Sequence, residues 1–219
     1  MRARAVYPVC LDLRGRRCVV VGGGAVAERK ARGLAAAGAR VTVVAKTARG
    51  GLGGLARGGR IVLRRRPYAA AVLRGAFLCI AATDDPAVNA RVSSDARRGG
   101  VLVNVADAPG LCDFFLPAVA GSGALRIAVS TGGGCPALAK RLGEEIGARY
   151  GKEYGVLLDL LDRMRRRVIA EVAPRERAAL LRRLSGAAVL RTLRRQGKAA
   201  ARARMERIIR AALKPGGGR

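Results

Sequence analysis

Short β-branched runs alternate with helical segments in the first half of the chain. Residues 17–21 form an apolar run that ends directly in three glycines. The segment 26–37 contains no proline and is rich in Ala, Glu, Lys and Arg, and Gly38 follows it, which predicts a helix. A second β-branched run covers 40–45. The order strand, glycine turn, helix, strand predicts a βαβ unit with parallel strands.

Further apolar runs predict additional strands at 61–65, 77–82, 101–105 and 125–130. The run at 77–82 is continuously apolar, as in a strand that is buried on both faces of a parallel sheet. Asp85 and Pro86 follow it and predict the start of a helix, as Pro136 does later in the chain. The glycine-rich stretch between the second and third strands marks its helix poorly.

From about residue 151 the pattern becomes entirely helical. Apolar residues recur at helical spacing from Leu157 to Val168, until Pro174 interrupts them. Further helical stretches are predicted at 175–184, 187–195 and 198–213. The sequence therefore predicts an α/β part followed by an all-α end.

The three glycines begin a motif of the form G-x-G-x-x-A, from Gly22 to Ala27. The motif follows a predicted strand and opens a predicted helix, which is the context in which it binds a dinucleotide. Gly24 lets the backbone approach a diphosphate, and the amino end of the helix offers unpaired N–H groups to it. A surface turn is the alternative for a glycine triplet taken alone.

The acidic residue that holds the ribose in many such sites is absent. It is expected about 20 positions after the glycines, where this chain has Val44-Ala45-Lys46-Thr47. Lys46 suits a 2′-phosphate, so the residues alone leave NAD and NADP both open.

Polar residues stand just after the predicted strands, at Thr83, Asn104, Asp107 and Thr131. The carboxyl edge of an open parallel sheet is where ligands bind, so these are candidate site residues. Asp107 is the ionisable group of its block. The alternative is a turn residue that precedes proline.

These features predict an α/β fold in three parts. A Rossmann-type parallel-sheet domain that binds NAD is expected at 1–120, a strand–helix segment for dimerisation or linking at 121–150, and a basic helical C-terminal domain at 151–219.

Charge and cysteine content narrow the chemistry. The net charge is +28, of which residues 151–219 contribute +13. This charge indicates either a surface that attracts polyanions or a basic surface that is only solvated. The five cysteines form no C-x-x-C pair and the chain has no histidine, which argues against a structural zinc site and a disulfide scaffold. We expect no bound metal.

Four blocks resemble, in order and spacing, the dehydrogenase/ferrochelatase module of the siroheme synthase family. They read VVVGGGAVAERKARGLAAAGARVTVVA, AATDDPAVNARV, NVADAP and STGGGCPALAKRL. Stand-alone versions of this module are the precorrin-2 dehydrogenase/sirohydrochlorin ferrochelatase family. The resemblance covers roughly residues 5–150.

The resemblance implies NAD-dependent oxidation of precorrin-2 to sirohydrochlorin, with Fe2+ insertion as a second activity in bifunctional members. It implies that Asp107 is the catalytic group. It implies cofactor contacts at the glycine turn and at the end of the second strand, by Gly22, Gly24, Ala25, Val26, Lys46 and Thr47, to which the strand-end position adds Thr83 and Asn104. The regulatory serine of some members corresponds to Thr131 here, which puts that regulation in doubt.

We expect a homodimer formed through the C-terminal helices, with no membrane contact. No run approaches 18 apolar residues, and Asp12 and Arg14 interrupt any signal-like stretch, so a cytoplasmic location is expected. The rival hypothesis is a dinucleotide-sensing protein that binds nucleic acid through its basic tail. No helix-turn-helix pattern supports it, and the Asn104–Pro109 block would have no role in it.

Overall fold

Five parallel strands form the sheet of the N-terminal part: β1 (Arg17–Val21), β2 (Arg40–Ala45), β3 (Val62–Arg65), β4 (Leu78–Ala81) and β5 (Leu102–Val105). The computed structural model describes residues 6–213. The strands lie in the order β3-β2-β1-β4-β5, so the direction of winding reverses between β1 and β4. Ligands bind at the carboxyl ends of strands at such a reversal. The predicted Rossmann-type fold is confirmed.

Three helices cover the two faces of this sheet: α1 (Ala25–Ala36), α2 (Gly50–Arg57) and α3 (Pro86–Arg98). Right-handed crossovers put α1 and α2 on one face, where Ala27 and Leu52 pack with Val20 of β1. On the other face, Val92 of α3 packs with Val19. Both faces of β1 are therefore buried, which explains why its sequence is apolar without alternation.

The start of α3 follows the predicted signal. The Asp85 carboxylate accepts hydrogen bonds from the backbone N–H groups of Ala87 (2.8 Å) and Val88 (3.2 Å), and Pro86 occupies the first turn. This capping satisfies donors that have no partner within the helix.

The chain divides into two compact units, of which the first ends at Leu116 and the second begins at Pro117. The second unit contains an antiparallel pair, β6 (Ala118–Ala120) and β7 (Ile127–Val129), followed by α4 (Pro136–Arg149). Both the predicted 121–150 segment and the 151–219 helices lie in this unit. Gly143 of α4 lets the helix approach β6, because a Cβ there would stand 3.4 Å from the Cβ of Ala118.

Three helices complete the second unit: α5 (Lys152–Glu171), α6 (Pro174–Leu184) and α7 (Ala187–Leu213). They share an apolar core that includes Leu160, Leu184 and Met205. The predicted helices 187–195 and 198–213 form one element with a break at Gly197, whose φ is +83°. Within residues 6–213, no helix is both long and apolar enough to span a membrane.

Candidate active site

The glycine turn joins β1 to α1 at the reversal point of the sheet. Gly22 has a φ of +131°, and its N–H donates to the Val44 carbonyl oxygen (2.9 Å). A Cβ at Gly22 would collide with the Ala82 carbonyl oxygen, and one at Gly23 with that of Thr47. Both positions therefore require glycine for close backbone approach.

Gly24 differs from its neighbours because a Cβ there would enter open space. It is the N-cap of α1 and makes no side-chain capping bond. The first N–H groups of the helix, which include those of Ala25 and Val26, have no acceptor within the helix. The open space beside Gly24 and these donors form a cradle that suits a diphosphate.

A cleft of about 550 Å³ opens between the glycine turn and the carboxyl ends of β2 and β4. Five predicted cofactor residues line it: Gly22, Gly24, Lys46, Thr47 and Thr83. Ala25 and Val26 lie next to it at the start of α1, although they are not among its lining residues.

Charged residues of both signs line the cleft. Lys46, Arg49 and Arg66 lie near the ends of β2 and β3, and Asp84 and Asp85 follow β4. The cations stand where an acidic residue is usual, so this end of the cleft carries no carboxylate of its own for the ribose.

Tyr68 forms a rigid wall of the cleft. It is buried, and its hydroxyl donates to the Asp95 carboxylate (2.9 Å). Burial raises the pKa of Tyr68 well above its ordinary value, and the hydrogen bond to Asp95 raises it further. The tyrosine is therefore a neutral, fixed surface against which a ligand ring can pack.

Thr83 is fixed by a buried residue that sequence reasoning missed. Its hydroxyl donates to the Asn89 side-chain oxygen (2.8 Å), and the Asn89 amide donates back to the Thr83 carbonyl (2.9 Å). Asn89 lies on the same buried face of α3 as Val92 and Ser93. An asparagine on the apolar face of a predicted helix was the available signal, because a buried amide needs partners.

Asn104 does not reach the cleft. It is buried on β5, and its amide donates to the Phe114 carbonyl oxygen (2.9 Å) and lies 3.5 Å from the Cys112 sulfur. These contacts connect β5 to the returning segment 112–114.

Asp107 lies in a tight turn after β5, which the Ala108 N–H closes on the Val105 carbonyl (3.4 Å). Its φ of +58° is the only positive value at a non-glycine residue between 6 and 213. The side chain is exposed, and its carboxylate accepts no hydrogen bond from the described residues. Asp107 therefore occupies a turn, as the alternative reading held, but its carboxylate is not used to build that turn.

Lys30 of α1 interacts electrostatically with Asp107, an interaction that sequence reasoning missed. Burial lowers the pKa of Lys30, the neighbouring Arg29 lowers it further, and Asp107 opposes the shift. Lys30 is next to Ala31 and one turn after Ala27, both fully buried, so its stem is half-buried. Ala106 packs against the same apolar cluster as these two alanines. A lysine beside the buried positions of an amphipathic helix was the available signal.

The remaining candidate, Thr131, lies in the second unit. The Thr131 hydroxyl accepts the Cys135 N–H (3.0 Å) just before α4, and Cys135 is exposed. Among residues 6–213, no three Cys, Asp or Glu side chains are grouped to hold a metal ion.

A family model described as "Putative NAD(P)-binding" matches residues 9–118, which span the whole parallel sheet and the glycine turn. The chain belongs to this NAD(P)-binding family. The family therefore covers half of the chain, and the cofactor class that it names agrees with the cradle at Gly24.

Relatives of known name extend the comparison. Siroheme synthase of Methylococcus capsulatus is 45% identical over 171 residues, which are 78% of this chain and 36% of that protein. Siroheme synthase of Pseudomonas putida strain F1 is 47% identical over 161 residues, 74% of this chain and 35% of that protein. The chain thus spans about a third of the length of these relatives.

A solved structure named "SirC, precorrin-2 dehydrogenase" superposes with a TM-score of 0.77 at 28% identity. The match covers 92% of this chain and 100% of that one. This family member therefore shares its fold with a chain named as a precorrin-2 dehydrogenase.

Proposed function

We propose that this chain oxidises precorrin-2 to sirohydrochlorin with NAD as the hydride acceptor. The observation that carries the proposal is the Asp107 carboxylate, which is exposed and accepts no hydrogen bond from residues 6–213, at the same sheet edge as the glycine turn. The similarity to siroheme synthases and to SirC supports precorrin-2 as the substrate on which this carboxylate acts.

The residues of the cradle fit NAD. The N–H groups of Ala25 and Val26 would bind the diphosphate, and Gly24 leaves room for it. Lys46 and Thr47 would contact the adenosine ribose, and Thr83 would contact the part of the cofactor near β4. When bound, NAD supplies the hydride acceptor for the oxidation.

Asp107 would remove the proton that leaves the macrocycle together with the hydride. A carboxylate that accepts no hydrogen bond from residues 6–213 is available to act as a base toward a bound substrate. Lys30 of α1 interacts electrostatically with this carboxylate and is proposed to assist it.

The basic surface suits the substrate. The acetate and propionate groups of precorrin-2 form a ring of carboxylates, and arginine binds carboxylates through two parallel hydrogen bonds. The net charge of +28 attracts such an anion over a distance.

Two further properties belong to the proposal. Fe2+ insertion into sirohydrochlorin is the second activity, in which Asp107 would accept the protons that the macrocycle nitrogens release. A homodimer is the proposed assembly, supported by exposed apolar side chains on the second unit at Val119, Leu138 and Ile169.

The test is anaerobic incubation of the purified chain with precorrin-2, with NAD and without it. Formation of NADH and of the sirohydrochlorin spectrum in equal amounts supports the proposal. Sirohydrochlorin formation at the same rate without a pyridine nucleotide would contradict it. Adding Fe2+ after the first step tests the second activity separately.

The nucleic-acid hypothesis has no support from the relatives named above, all of which are tetrapyrrole enzymes by name. Loss of salt-sensitive DNA binding on removal of residues 151–219 would revive it.

A further inference from the structure

The strand before Asp107, β5, lies at the edge of the sheet. The backbone N–H and C=O groups on its open side therefore need hydrogen-bond partners outside the sheet. β5 pairs with β4 on one side, and no strand within residues 6–213 pairs with it on the other. The segment after the Asp107 turn returns along this open edge. The Asp113 N–H donates to the Val103 carbonyl (2.8 Å), and the Asp113 carboxylate accepts the Val103 N–H (3.1 Å). This return places Cys112 directly beneath the turn.

The Cys112 thiol meets the next outward-facing groups of the same strand. Its sulfur accepts the Val105 N–H (3.1 Å) and lies 3.5 Å from the Asn104 amide nitrogen. Its own proton is shared between the carbonyl oxygens of Val105 (3.2 Å) and Ala108 (3.4 Å). The side chain is buried, so these partners are not replaced by water.

These contacts lie on both sides of Asp107 along the chain. Val105 precedes it and Ala108 follows it, and both accept from one thiol. Asp107 itself adopts a left-handed conformation, which costs energy at a residue with a Cβ and persists only where the surroundings enforce it. The exposed Asp107 side chain contributes no hydrogen bond to its own turn. The two ends are held by the bond from the Ala108 N–H to the Val105 carbonyl (3.4 Å) and by the thiol beneath, which contacts both residues.

We propose that Cys112 is the positioning residue for Asp107. Its sulfur satisfies the edge of β5 and fixes the turn, so that the carboxylate faces the substrate with a single orientation. The inference rests on the proposed function, because it assigns Cys112 a role in the step that Asp107 performs.

The chain offers a matched control at Cys79. This cysteine is also buried and belongs to the same apolar cluster as Cys112. Its thiol makes no hydrogen bond with the described residues. Cys79→Ala therefore removes the same atoms from the same core without touching the turn, and it reports the effect of a cavity alone.

The first measurement is the steady-state rate of precorrin-2 oxidation in Cys112→Ala, Cys112→Ser and Cys79→Ala. We expect Cys112→Ala to lower kcat between about tenfold and a hundredfold with an unchanged KM for NAD, because a displaced base misses its proton. Cys112→Ser keeps a donor and an acceptor and is expected to recover most of kcat. Equal kcat values for Cys112→Ala and Cys79→Ala would overturn the inference.

The second measurement is the amide hydrogen-exchange rate of Val105 by NMR, which does not depend on enzyme activity. Exchange at Val105 should rise by about tenfold or more in Cys112→Ala, which removes its acceptor, and should stay at the wild-type rate in Cys79→Ala. An unchanged rate in Cys112→Ala would overturn the inference. Wild-type protein without dehydrogenase activity would instead contradict the proposed function, and the exchange rates would still decide whether Cys112 fixes the turn.

Discussion

At the scale of single residues, the Lys30 side chain combines an energetic cost with a proposed role. The residue is half-buried and interacts electrostatically with Asp107, and burial is the main reason that the pKa of Lys30 is lowered. The folded state therefore binds this proton less tightly than the unfolded chain does, so this group destabilises the fold when it is charged. A residue that costs stability and interacts with the proposed base is a candidate for retention by function.

Lys30→Met is expected to raise the free energy of unfolding and to lower activity. The increase in the free energy of unfolding, a few tenths of a kcal/mol up to about 1 kcal/mol, should be largest at neutral pH. It should fall as the pH rises toward the ordinary lysine pKa of about 10.4, because the wild-type amine then becomes neutral. Urea unfolding at several pH values measures it. Lys140→Met, at a side chain that is 78% exposed, is the control and should change neither property. A stabilised Lys30→Met protein with full activity would remove Lys30 from the mechanism.

Neighbouring glycines of the turn should respond in opposite ways to alanine. Gly24→Ala places a methyl group in open space at an ordinary φ of −80°, so folding should be unaffected while NAD affinity falls at least about tenfold. Gly22→Ala meets the Ala82 carbonyl at a φ of +131° and should cost about 3 kcal/mol or more. Calorimetric titration with NAD and thermal unfolding separate the two effects. Unimpaired NAD binding by Gly24→Ala would contradict the proposal that the diphosphate binds in the space beside Gly24.

At the scale of secondary-structure elements, the sequence predicts best where local signals and burial agree. The Val-rich β1, the second strand and the capped start of α3 all match their predicted positions. The helix α2 was poorly marked because four of its eight residues are glycine, which has a low helix propensity. It forms because Leu52 and Leu55 are buried against the sheet, a tertiary effect that the local sequence does not carry.

The glycine content of α2 gives a prediction. Gly54→Ala should raise the free energy of unfolding by about 0.5–1 kcal/mol, because it lies inside the helix and a Cβ there meets nothing. Gly51→Ala is the matched control, since its Cβ would displace the Glu28 carboxylate that pairs with Arg32, and loss of that ion pair should offset part of the gain. Chemical denaturation of both variants is the measurement. Equal increases in the free energy of unfolding at the two positions would show that helix propensity alone determines the effect and that the contact with Glu28 does not matter.

Sequence patterns also miss features that depend on distant partners. β6 has only three residues and pairs with β7 rather than with the parallel sheet, so its short run predicts nothing by itself. Lys30, Asn89 and Cys112 act through residues far along the chain or across a turn. The glycine motif could be recognised because its residues are consecutive and its flanking strand and helix are local, whereas Asp107 became a catalytic candidate through the family resemblance of its block.

At the scale of the whole molecule, the two compact units have separate apolar cores. The first unit has a cluster on each face of the sheet, and the second has its own cluster in the helices. The family match, at residues 9–118, corresponds closely to the first unit. The nucleotide cradle and cleft consist of residues of that unit alone.

A chain shortened to residues 1–116 should therefore fold and bind NAD with an affinity within about threefold of the full chain, a difference of less than 1 kcal/mol. We expect it to be monomeric, since the C-terminal helices are the proposed dimerisation part. Calorimetry with NAD and light scattering measure these properties. A folded fragment without NAD affinity would contradict the assignment of the cradle to the first unit.

The central claim is that Asp107 accepts a proton while NAD accepts a hydride. Its most direct test is a single turnover of precorrin-2 by Asp107→Asn, which keeps the shape and tolerates the left-handed turn but removes the base. Asp162→Asn, at an exposed acid on α5, is the control. We predict that Asp107→Asn binds NAD and precorrin-2 as the wild type does, yet forms NADH at least about a hundredfold more slowly. Wild-type NADH formation by Asp107→Asn would contradict the account.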